Sequence, residues 1–172
     1  MHRSTLAAAL LATLTVAMLA ESPALADSKS VRDPRGDAPA HFDLTTVRAT
    51  NSGSAITVRA HLRDLQGHAT QIFWVTLRPA GGDSYYALST VRRKSGRTTA
   101  RIETIDSSGN FTEVPCHISS KWRPARDVIA VAFPRDCIPQ QGSVRFNFYI
   151  GAGDGSAGDP TDWTKSVRVA QD

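Results

Sequence analysis

Ile56-Thr57-Val58-Arg59-Ala60-His61-Leu62 alternates apolar and polar side chains at every step. Successive side chains of a strand point to opposite faces, so this period marks a strand with one buried face and one wet face. Val144, Phe146, Phe148 and Ile150 repeat the pattern against Arg145, Asn147 and Tyr149. Gln71 to Arg78 and Tyr85 to Val91 are rich in β-branched and aromatic residues and read as further strands. Trp74 falls inside the first of these and is expected in the core. Val128 to Phe133 is apolar throughout and predicts a central strand buried on both sides. Turn-forming clusters separate the runs, among them Asn51-Ser52-Gly53, Gly81-Gly82-Asp83, Ser107-Ser108-Gly109-Asn110 and Gln140-Gln141-Gly142. Beyond the N-terminal segment no sustained helical stripe appears. The expected fold is all-β: one antiparallel β-sandwich, jelly-roll or immunoglobulin-like, of about eight or nine strands.

The N-terminus has a different character. Arg3 gives a short basic start, Thr5 to Ala20 is almost wholly apolar, and Ala24-Leu25-Ala26 offers small residues around a cleavage point. That three-part layout is a secretory signal peptide, with cleavage expected after Ala26. The apolar run is roughly 16 residues, short of the ~20 that span a bilayer. Residues 27–172 are then expected as a single exported domain with no membrane span. An oxidising destination makes Cys116 and Cys137 a disulfide pair. Two lone cysteines without CxxC spacing argue against a thiol nucleophile or a metal site.

The chain carries 20 Lys and Arg against 16 Asp and Glu, a net charge of +4. The charges are scattered with alternating sign, and no dense basic stripe predicts a nucleic-acid partner. No GxSxG elbow, HExxH or phosphate loop is present, so a non-catalytic role is expected.

Two segments break the alternation and concentrate carboxylates. One holds Asp33 and Asp37, followed by Asp43; the other holds Asp154, Asp159 and Asp162. Asp beside Gly and Pro is ordinary turn chemistry. The same residues supply the short oxygen donors that Ca2+ takes in numbers of six to eight. If the two segments meet in space, they form one cation site. Trp122 and Trp163 lie among polar residues and are the candidate stacking faces for a sugar ring; a tryptophan so placed also serves to close the end of a sandwich.

The opening Asp33-Pro34-Arg35-Gly36-Asp37, followed by Phe42-Asp43-Leu44-Thr45, resembles the start of DOMON-like, family-9-type carbohydrate-binding modules. With Val114-Pro115-Cys116 and Val131-Ala132-Phe133-Pro134-Arg135-Asp136-Cys137 it is also similar to a group of small secreted actinobacterial proteins of unknown function. The resemblance implies a β-sandwich and a Ca2+ ion held by Asp33, Asp37 and Asp43. The Gly- and Tyr-rich stretch expected of the modules after the second Asp is replaced here by Ala38-Pro39-Ala40-His41. The functional expectation is a secreted binding module, Ca2+-stabilised, that contacts polysaccharide or a cell-envelope polymer. The other expectation is a secreted structural or protein-interaction domain, an inhibitor or surface factor, with no small ligand.

Overall fold

A computed structural model describes residues 27–66, 69–82, 84–153 and 161–171. The expected signal peptide, Asp154 and Asp159 lie outside the described residues. The strands are β1 (Asp27–Arg32), β2 (Leu44–Asn51), β3 (Ala55–Leu62), β4 (Gln71–Pro79), β5 (Tyr85–Arg92) and β6 (Thr98–Ile105). They continue as β7 (Phe111–Glu113), β8 (Ser119–Arg123), β9 (Val128–Pro134), β10 (Val144–Ala152), β11 (Thr161–Trp163) and β12 (Val167–Val169). Among the described residues the only helical pieces are two 3-10 turns, Pro124–Arg126 and Arg135–Cys137. No described helix is long and apolar enough to cross a membrane.

The strands form two antiparallel sheets. One runs β1-β2-β3-β9-β8, and the other runs β11-β10-β4-β5-β6-β7 with β12 also paired to β10. This is the expected β-sandwich. Its twelve described strands exceed the expected eight or nine because β1, β7, β11 and β12 are short or polar pieces. Such strands carry little apolar alternation and are held largely by main-chain pairing.

The alternation in β3 and β10 does what its period requires. Ile56, Val58, Ala60 and Leu62 face Phe146, Phe148 and Ile150 in one shared core, joined by Phe73, Val75 and Leu77 from β4. The Phe146 and Phe148 rings stack with centroids 6.1 Å apart. β9 corrects the expectation of a strand buried on both sides. Its Ile129, Val131 and Phe133 are core, but Ala130 and Ala132 are half-buried on the outer face. Small outward alanines, rather than a covering layer, make the run apolar.

Cys116 and Cys137 are bonded, with Cα atoms 5.9 Å apart. The bridge closes the base of the β8–β9 hairpin, whose tip is the Pro124–Arg126 turn. Asp127 follows in the left-handed region at φ 52° and its carboxylate accepts from the Leu65 N–H at 2.8 Å.

Candidate functional site

The first acidic segment follows β1 directly. It is the connection from β1 to β2 in the five-stranded sheet. The Phe42 and Asp43 amides both donate to the Pro39 carbonyl, at 2.8 and 3.0 Å, which curls the connection into a compact turn. Asp43 at its end is fully buried. Its Oδ2 accepts from the Gly36 N–H at 2.7 Å and lies 3.1 Å from the Arg63 guanidinium. Asp43 therefore folds the loop back on itself, and its Oδ1 is buried without a hydrogen-bond partner.

Asp162 reaches the same place from β11, in the other sheet. Its Oδ2 accepts from the Leu44 N–H at 2.7 Å, a bond across 118 positions of sequence. Asp33, Asp37 and Asp162 each bring a carboxylate oxygen within 4.8 Å of the others. The two acidic segments do meet, through Asp162 of the second.

Three carboxylates this close repel one another, and burial adds to the cost. Burial, together with the charges of Asp162 and Asp37 and a hydrogen bond to Asp162, pushes the Asp33 carboxyl up to about 6. Burial likewise raises Asp162, against the lowering effect of the Leu44 N–H. The Asp33 Oδ2 is buried without a partner. An all-carboxylate set of hard oxygens suits Ca2+ and not a thiophilic metal. Asp33, Asp37 and Asp162 are the residues that fit such an ion, with Asp43 shaping the loop behind them.

The aromatic residues sort differently from the expectation. Trp122 lies on β8 and faces inward, packing at the margin of the core and donating from Nε1 to the Thr90 hydroxyl at 3.0 Å. It closes the sandwich. Trp163 faces outward and is 63 % exposed. Its ring tilts against Tyr149 at 4.5 Å between centroids. Trp74 corrects the core expectation, because its neighbours Phe73 and Val75 take the inner face and it takes the outer, half-buried.

Strand register places these rings side by side. Trp163 is opposite Tyr149, Tyr149 opposite Trp74, Trp74 opposite Ser89, and Ser89 opposite Arg101. The outer face of the seven-stranded sheet thus carries three aromatic rings in one row that leads to polar groups. Beside its polar end lies a groove of about 570 Å3, lined by Thr70, Ile72, Ser89, Val91, Arg93 and Arg101 among others. Gly151 belongs to this site although nothing in the sequence marks it. A Cβ there would collide with the Tyr149 hydroxyl and ring, so the missing side chain is the space into which Tyr149 folds.

No protein-family model matches the chain, and no curated protein matches it significantly.

Proposed function

We propose that the chain is an exported, non-catalytic binding module that holds a polysaccharide or cell-envelope polymer on the outer face of its seven-stranded sheet, with a Ca2+ ion bracing the edge of that sheet. The observation that carries the reading is the registered row of Trp163, Tyr149 and Trp74. A tryptophan that stays largely exposed on a sheet face, beside a second aromatic ring, is apolar surface that the fold does not cover, and such surfaces mark interaction sites. Aromatic faces stack on the apolar face of a pyranose, and polar groups at the end of the row supply hydrogen bonds to hydroxyls. The Asp33, Asp37 and Asp162 cluster sits directly behind, since Asp162 and Trp163 are consecutive residues of β11.

Retardation in affinity gels cast with neutral plant and microbial polysaccharides tests this. The wild type is expected to be retarded by at least one polymer. Trp163→Ala is expected to weaken retention about tenfold, near 1.4 kcal/mol. Gly151→Ala is expected to act in the same direction by displacing Tyr149, with a folded circular-dichroism spectrum retained. Equal retention of wild type and Trp163→Ala on every polymer would leave the interaction-domain reading in its place.

A further inference from the structure

The opposite sheet has a face of different chemistry. The outward positions of β1, β2, β3, β9 and β8 follow from the register: Ser30 is opposite Arg48, Arg48 opposite Arg59, Arg59 opposite Ala130, and Ala130 opposite Lys121. The next row runs Arg32, Thr46, His61, Val128, Arg123. Arg32, Arg48, Arg59, Lys121 and Arg123 are all exposed. No Asp or Glu occupies an outward position on these strands. The whole chain has a net charge of +4. This one face therefore carries more positive charge than the molecule, and the remainder is net acidic.

The arrangement costs stability. Arg48 and Arg59 are directly opposite on neighbouring antiparallel strands, where like charges repel. Arg48 donates to the Ser28 hydroxyl at 2.7 Å, which does not neutralise it. No carboxylate among the described residues pairs with any of the five cations. Between them stand mostly short side chains, including Thr57, Ala130, Ala132 and Ser119, with the exposed imidazole of His61 in the second row.

We propose that this face is a second binding surface, for a linear polyanion of the cell envelope whose acidic groups recur along a flexible chain. The five cations lie on four of the five strands, from one edge of the sheet to the other, roughly 20 Å at the usual strand spacing. That span suits an extended chain and exceeds a single anionic group. The face bears no exposed large apolar side chain; the two among the described residues, Phe111 and Trp163, belong to the other sheet. A lipid surface would find no exposed large apolar side chain to receive, and single-stranded bases would meet His61 alone and no row of aromatic rings on which to stack. Among the described residues no helix longer than a single 3-10 turn is present to enter a duplex groove. The charge complementarity is with a backbone alone. This surface is independent of the aromatic row, so either can fail without the other.

The test measures binding to three probes at 50 and 200 mM salt: inorganic polyphosphate, polygalacturonate and duplex DNA. With about four contacts, affinity for the preferred probe is expected to fall roughly 50-fold between the two salt concentrations. Arg59→Thr is expected to weaken binding roughly tenfold at 50 mM salt and to shallow the salt dependence by about 0.7. The same variant is expected to melt at or above the wild-type temperature, because it removes one of two opposed charges. Lys121→Thr with Arg123→Thr provides a second variant on the edge strand, with a larger loss expected. Arg93→Thr with Lys94→Thr removes equal charge elsewhere and is expected to leave affinity within twofold. Polyphosphate preference identifies a polymer charged through phosphate and polygalacturonate preference one charged through carboxylate; both support the proposal. Binding of neither, preference for DNA, or equal loss in the Arg93/Lys94 variant overturns it. Trp163→Ala, which reads the neutral-polymer surface, is expected to bind the polyanion as the wild type does.

Discussion

Adding Ca2+ at pH 7 to protein stripped with EDTA is expected to raise the melting temperature by roughly 10 °C once the ion is a hundredfold above its Kd. A ligand bound only to the folded state contributes about 2.7 kcal/mol at that excess. For a domain of this size each kcal/mol moves the transition by roughly 3–4 °C. The pH dependence gives the expectation its signature. The Asp33 carboxyl is raised to about 6 in the folded protein, from an ordinary value of 3.8. The folded state then binds more protons than the unfolded state between those values. In ion-free buffer this group's contribution to stability is fully present below pH 3.8 and is lost as pH rises through 6. The Ca2+ response must run the other way, since the ion needs the carboxylates deprotonated: small near pH 4.5 and full above pH 7. Calorimetric scans with and without the ion, at four or five pH values, read both trends. Asp162→Asn is expected to abolish the Ca2+ response. A melting temperature indifferent to EDTA and Ca2+ at pH 7 would remove the cation from the proposed function while leaving the aromatic row untouched.

Replacing Cys116 and Cys137 together by serine is expected to lower unfolding free energy by about 3 kcal/mol. The bridge spans 21 positions. Closing a loop of that length restricts the unfolded chain by this amount in the chain-entropy model. Both residues are also partly buried against the core, so the serines exchange packed sulfur for a hydroxyl and do not offset the loss. Denaturant titration should show a lower midpoint with a similar or slightly steeper slope. Trp122, on the strand just after Cys116, should report the change in its fluorescence. An unchanged midpoint would mean that the hairpin is held entirely by its pairing to β3 and by the core.

The layers were legible in the sequence because β3 and β10 bury one face each and write that burial as a period of two, while β4 and β5 are marked by their β-branched and aromatic composition. The short strands were not. β11 has three residues, Thr161-Asp162-Trp163, too few for a period to emerge. That brevity leaves Asp162 undistinguished from the other carboxylates of the second acidic segment, and it is the bond to Leu44 and the approach to Asp33 and Asp37 that single it out among the described residues. Trp74 was misread for a related reason. Ile72-Phe73-Trp74-Val75 is apolar on both faces, so alternation assigns no side; only pairing with Tyr149 and Ser89 does. The aromatic row and the basic face are products of register. Arg32 and Arg123 lie far apart along the chain and look like scattered charges until β1 and β8 take their places at opposite edges of one sheet.

The bond from the Leu44 N–H to Asp162 has a mechanical meaning. β11 is joined to β10 at only three register positions, and its outward residue is Trp163. A polymer tugging on that ring away from the sheet would peel so short a strand one rung at a time. Asp162, one residue back, is anchored to Leu44 at the start of β2 in the facing sheet. The rivet passes through the thickness of the sandwich. Load entering at the tryptophan is therefore shared by both sheets, and one of the three shortest strands is fastened at the point where a tethered polymer would pull.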